Sequence, residues 1–386
     1  MKKGLIALAA GAFALGFAEF VVMGIITNVA AGIGVTVPEA GGFISAYAIG
    51  VCFGTLILVF GHNVAPKRLL LLFMALCFAG NALAAVSPDA TTLTIARFIS
   101  GMPHGAFFGT GTIVAKALAD RGQENRAVAI MVLGQTLANT IGVPFGTLLA
   151  GVVSWRAAFV FVAVWALLSF VLIARLVPQV APAQSSGFAG QFKFLGRPGP
   201  WVVLGAVFLG NSGIFCWWSY VSPWLESIGG WSEAALPALL VLAGLGMVVG
   251  SQLGGQMGDR LTPGRAAAMG QAVSCVSMLL IFALAGSRAG TAALMFLCCI
   301  GLFFPSSPQQ LAMVEIGRGG GEMIGSACVQ VAFNGGNAVG ASIGQAVLDA
   351  GLGYRYPALA GAPIAAAAVA LLIIYARHFE REYHTA

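Results

Sequence analysis

The sequence predicts an all-α integral membrane protein of twelve transmembrane helices, arranged as two pseudo-symmetric six-helix bundles. Three observations carry that prediction. Of 386 residues, 59% are hydrophobic and 8% are charged, against roughly 25% charged in an ordinary soluble domain. The apolar residues fall in runs of about 20, the length that crosses a hydrocarbon core of about 30 Å. The second half of the chain also echoes the first. A chain so poor in charge cannot cover itself with polar surface, so the bilayer is its solvent.

The first span, Gly4 to Ala30, follows Met1-Lys2-Lys3. That start has the look of a secretory leader, but the apolar run outlasts a leader's core and contains Glu19, so it reads as a membrane helix. Ala40 to Phe60 and Arg68 to Val86 form the second and third spans, joined by a short polar loop. The fourth, Thr91 to Ala117, holds Arg97 and His104, and the fifth, Arg126 to Val152, is glycine-rich. The sixth, Ala157 to Val177, leads into the longest polar stretch, 178–200, which reads as a cytoplasmic linker. This linker divides an N-terminal bundle, 1–177, from a C-terminal bundle with a short cytoplasmic tail, 201–386. Trp201 to Ser227, Ala234 to Gln256 and Arg265 to Ala285 supply spans seven to nine. Ala289 to Met313, Met323 to Ala350 and Pro357 to Ala376 complete the twelve. The 53 glycines and 16 prolines suit membrane helices, where small residues let backbones approach closely.

The echo is clearest in spans 5 and 11. Asn139, Gly142 and Gly146 align with Asn337, Gly340 and Gly344. An even number of spans in each half makes the repeat parallel, a device of transporters.

Charge sets the topology. Of the nineteen Lys and Arg residues, Arg156, Arg288 and Arg355 fall in one set of loops and Arg97 lies inside a span. The other fifteen fall in the alternate set, which places both termini in the cytoplasm. The net charge of +6 therefore reflects topology rather than nucleic-acid binding, since no basic run exceeds Lys67-Arg68. The seven cysteines all sit within apolar runs without metal-ligand spacing and read as packing residues. No metal site or cofactor is expected.

Ionisable groups inside a membrane are costly and mark functional candidates. Counting residues places Glu19 and Arg97 at nearly the same depth. Glu19 either takes up and releases a proton, or forms a fixed ion pair with Arg97 that holds spans 1 and 4 together. His104 beside Pro103 either relays protons or binds carbonyls freed by the proline. Mid-span amides, among them Asn211 and Asn334, offer hydrogen bonds to a neutral solute or between helices. Asn211 lies near Trp217 and Trp218, which make a solute-cavity candidate or an interfacial aromatic cluster. Asn139 and Asn337 read as packing residues. No nucleophile set, phosphate loop or ATP-hydrolysing domain is present, which argues against an enzyme and leaves a gradient as the source of energy.

These residues resemble the major facilitator superfamily along essentially the whole chain. The loop Gly61-His-Asn-Val-Ala65-Pro-Lys67-Arg68 is similar to the family's loop between helices 2 and 3, with Ala65 where aspartate is usual. The loop Gly255-Gln-Met-Gly-Asp259-Arg260 is a fuller copy. The resemblance implies the major facilitator fold and a cytoplasmic gate latched with help from Asp259 and Arg260. Span 4, Arg97-Phe-Ile-Ser-Gly101-Met-Pro-His-Gly105, resembles the family's helix 4 motif. Gly134 with Gly142-Val-Pro144-Phe-Gly146 looks like a relaxed form of the motif associated with proton-coupled exporters. Ala18-Glu19-Phe20 and Pro103-His104-Gly105 look most like the arabinose-efflux-permease-like branch of drug and sugar exporters. That likeness implies an inner-membrane exporter that rocks two halves around a midplane cavity lined by spans 1, 4, 7 and 10. It would act as a monomer, with a small solute, protons and lipid as partners.

Overall fold

The computed structural model describes residues 3–60, 64–120, 124–180, 192–318 and 321–384. Gly61 and the linker residues 181–191 lie outside the described residues. Most of the rest is helical, and the helices fall where the apolar runs predict them. The first six passes are α1 (Lys3–Ile33), α2 (Val37–Phe60), α3 (Pro66–Ala85), α4 and α5 (Ala90–Gly101, Pro103–Leu118), α6 and α7 (Glu124–Leu137, Val143–Val152), and α8 (Trp155–Leu176). The next six are α9 and α10 (Pro198–Trp218, Val221–Ser227), α11 (Leu236–Arg260), α12 (Pro263–Leu284), α13 and α14 (Arg288–Phe303, Ser306–Ile316), α15 (Glu322–Asp349), and α16 (Tyr356–His378). A short α17 (Glu380–His384) follows.

Among the described residues, nine helical stretches are long and apolar enough to span a membrane by length and composition. The fourth and fifth passes are interrupted, and the eleventh carries Gln330, Asn334, Asn337 and Gln345. Large apolar side chains such as Val152, Val164, Leu167 and Leu284 lie exposed on the outside, as a lipid-facing surface requires.

The interruptions have identifiable causes. Pro103 and Pro305 lack the N–H that would bond the carbonyls of Ile99 and Gly301, so the fourth and tenth passes each divide at a proline. In the fifth pass a π turn spans Ala138–Gly142, with the Val143 N–H donating to the Ala138 carbonyl just before Pro144. In the first pass Ile25 leaves helical geometry at φ −120°, ψ 16°. In the seventh, Tyr220 does so at φ −120°, ψ 26°.

The chain divides into two compact units, Met1–Gln184 with Leu236–Val241, and Ser185–Ala235 with Leu242–Ala386. In the first, α1 is the central helix, and glycines let its neighbours come close. A side chain at Gly134 would strike the Ala9 carbonyl, and one at Gly142 or Gly146 would strike Phe17. In the second unit α9 is packed in the same manner by α15. There, side chains at Gly340 and Gly344 would strike the carbonyls of Ser212 and Cys216. Asn139 in the π turn of the fifth pass and Asn337 in α15 are both buried, each with an amide oxygen that has no partner.

Candidate functional site

The chemistry of the first unit gathers where α1, α2, α4 and α5 meet. Gly50, Gly54 and Gly101 allow α2 and the α4–α5 pass to touch backbone to backbone, against Phe98, Met102 and Tyr47 respectively. That approach, with the break at Pro103, brings His104 to α2 and to α1. His104 Nε2 lies 3.4 Å from Glu19 Oε2, and its Nδ1 lies 2.9 Å from the Tyr47 hydroxyl. All three side chains are buried, with Glu19 at 3% exposure.

Arg97 occupies the same level but plays a different part from the one counting residues suggested. Its Nη1 donates to the Ala18 carbonyl at 2.8 Å and its Nε to the Phe43 carbonyl at 3.4 Å. The guanidinium carbon lies 4.4 Å from the centroid of the Tyr47 ring. Arg97 closes no salt bridge with Glu19, so a fixed pair between spans 1 and 4 is not what the structure shows. One oxygen of Glu19, Oε1, and one nitrogen of Arg97, Nη2, have no hydrogen-bond partner. The nitrogens of His104 likewise do not serve the carbonyls freed by Pro103. They face Glu19 and Tyr47 instead.

Tyr47 escaped the sequence reading. A phenol in the middle of an apolar span needs a partner for its O–H when buried, and that was the available signal.

In the second unit, Asn211 lines a small recess together with Gln271, Ser274, Gln309 and Phe333. Gln309 follows the break at Pro305, and its Nε2 is buried without a partner. Asn211 donates from Nδ2 to the Val207 carbonyl one turn back, at 2.8 Å. Asn334 makes the same kind of contact with Gln330 at 3.0 Å. Trp217, Trp218 and Asn334 do not line this recess. Trp217 is fully buried edge-on to Trp224, with ring centroids 5.0 Å apart, and 5.9 Å from Trp218. Among the described residues no group of His, Cys, Asp or Glu could hold a metal ion.

Of the residues expected in the gating loops, Lys67 meets a helix end. Lys67 Nζ donates to the Ala174 carbonyl at 2.7 Å, at the C-terminus of α8, where a cation also meets the negative end of the helix dipole. Arg68 is exposed. Asp259 and Arg260 end α11, and Gly255 has open space around it. Just beyond, Glu380 of α17 accepts from the Thr262 hydroxyl at 2.6 Å and the Gly264 N–H at 2.5 Å, capping the start of α12. Nothing local in the sequence marks Glu380 for that role.

Twelve membrane passes, five of them broken or kinked, define a polytopic membrane carrier. The family model described as Major Facilitator Superfamily matches residues 8–321, and the chain belongs to that superfamily, whose members move solutes rather than transform them. The chain is similar to the "Putative transporter AraJ" of Escherichia coli (strain K12), 40% identical over 98% of this chain and 96% of that protein. The "Inner membrane transport protein YdhP" of the same strain is 36% identical over 97% and 96%. A "Probable sugar efflux transporter" of Mannheimia succiniciproducens is 25% identical over 97% and 94%.

Proposed function

We propose that this transporter exports a small solute, a sugar, drug or related amphiphile, across the inner membrane by proton antiport with alternating access. The observation that carries the coupling is the buried Glu19 carboxylate 3.4 Å from His104. A carboxylate is kept in a membrane span at a cost, and the neighbouring cation, Arg97, spends its hydrogen bonds on backbone carbonyls instead. The Glu19 and His104 pair can therefore gain and lose a proton without breaking a salt bridge to Arg97.

Export of a sugar is supported by the name of the sugar efflux relative, and inner-membrane residence by that of YdhP. The buried amides of Asn211, Gln271 and Gln309, which line one small recess in the second unit, supply hydrogen-bonding groups of the kind a neutral polar solute needs. In this reading 1–177 and 201–386 are the two bundles, 178–200 is a cytoplasmic linker, both termini are cytoplasmic, and the chain acts as a monomer in lipid. Loops near Asp259 and Arg260 latch the cytoplasmic side.

The test is lumenal pH in proteoliposomes challenged with a panel of radiolabelled sugars and antibiotics. A solute that moves should move protons in the opposite sense, and Glu19→Gln should abolish the proton flux. Full proton-coupled transport by that variant would sink the carrier role of Glu19. Co-directional proton movement would favour a symporter, and solute movement without protons a facilitator, for a sugar or nucleoside.

A further inference from the structure

Tyr47 is 2% exposed, and its hydroxyl lies between two partners on different passes. His104 Nδ1 is 2.9 Å away and the Leu15 carbonyl 3.3 Å away. A phenol has one proton to donate. The Leu15 carbonyl can only accept, and within α1 it already receives the N–H of Glu19 one turn on. The imidazole nitrogen is different, because it accepts in one state and donates in another.

With Nε2 facing Glu19 in its ionised form, neutral His104 carries its proton on Nε2, and Nδ1 is an acceptor. The Tyr47 hydroxyl then donates to Nδ1. When His104 takes up one proton, the new N–H is on Nδ1 and donates to the Tyr47 oxygen. The hydroxyl proton, displaced from that line, turns to the Leu15 carbonyl. One proton has been added, no O–H or N–H bond has been broken, and the hydroxyl has changed partner.

Resting on the proton-coupling reading above, the geometry points to Tyr47 as a positioning residue for His104. Its hydroxyl selects the tautomer that faces Glu19, and its change of partner passes the charge state of His104 to the backbone of α1, one turn before Glu19. The charged and titratable groups around it are Glu19 on α1, Arg97 on α4, His104 on α5 and Cys77 on α3.

The test is nitrogen-15 NMR of the intact protein labelled at histidine, with the His104 signals assigned by their loss in His104→Gln. Neutral His104 should carry its proton on Nε2. Tyr47→Phe keeps the ring under Arg97 but removes the hydroxyl. It should introduce the Nδ1–H tautomer and move the titration midpoint by about 0.5–1 pH unit, the change that follows from losing one hydrogen bond to a titrating group. An Nδ1–H tautomer in the unmodified protein would overturn the assignment even if Tyr47→Phe failed to fold. So would a folded Tyr47→Phe protein with unchanged tautomer and midpoint. Failure of the coupling reading has a separate signature, proton flux that survives Glu19→Gln, and leaves the tautomer result standing.

Discussion

Arg97 holds the peptide carbonyl of Ala18 at 2.8 Å while its guanidinium lies over the Tyr47 ring at 4.4 Å. One side chain on α4 thereby ties α1 to α2. Arginine suits this because its planar head stacks and donates at once, which a lysine ammonium cannot reproduce. Arg97→Lys should lower stability by about 2 kcal/mol, the range of a hydrogen bond from a charged donor. Thermal unfolding in detergent is the check. An unchanged midpoint would mean that the Ala18 contact contributes nothing net.

The close seam between α2 and the α4–α5 pass predicts a contrast between glycines of one helix. A methyl group at Gly54 would strike the Met102 carbonyl, whereas Gly42 has nothing within 4 Å. Gly54→Ala should destabilise by about 1–3 kcal/mol through overpacking. Gly42→Ala should be neutral or slightly stabilising, since alanine favours the helix. Equal melting temperatures for the two variants would contradict the seam.

Glu380 answers two donors at the start of α12, and Pro263 supplies no N–H of its own there. Glu380→Ala leaves the Gly264 N–H and the Thr262 hydroxyl unpaired in a largely buried site. A loss of about 1–3 kcal/mol follows. Glu380→Gln, which retains a carbonyl oxygen for one donor, should recover part of it in the same melting assay.

Asp89 caps α4, accepting from the Thr92 N–H at 2.8 Å and the Thr92 hydroxyl at 3.1 Å. The backbone N–H of Thr92 holds its carboxyl below the usual carboxylate range. A depressed folded-state value means the stabilisation is present above the unfolded value and lost as pH falls through the folded one. Melting temperature should therefore fall on acidification below about pH 4, and the slope should flatten in Asp89→Asn, which keeps a capping oxygen but cannot titrate. Parallel acid limbs in the two proteins would count against this role.

The passes were legible because hydrocarbon imposes one length on every span and forces each backbone group to bond internally. All twelve passes begin and end within a few residues of the apolar runs, with the eighth running furthest past its predicted edge, to Arg260 rather than Gln256. Pro103 and Pro305 were visible in the sequence, yet only the structure shows that the broken passes deliver His104 to Glu19 and Gln309 to a recess with Asn211. Depth counting brought Glu19 and Arg97 to one level but could not choose between a carboxylate and the carbonyl beside it. That choice depends on rotation about the helix axis, which a tally of residues per turn leaves open. Tyr47 and Glu380 escaped because their partners lie far away in the chain, on other helices.

The interruptions at Ile25 and Tyr220 sit 195 positions apart with nearly the same backbone angles, and those at Pro103 and Pro305 form a second such couple. Mechanics and chemistry are therefore separable in this chain. The same joints appear twice, furnished in one bundle with groups that titrate and in the other with amides that do not. An engineer seeking to place ionisable groups beside the joints of the second unit, or to remove those of the first, would begin by exchanging side chains, on a scaffold jointed in both.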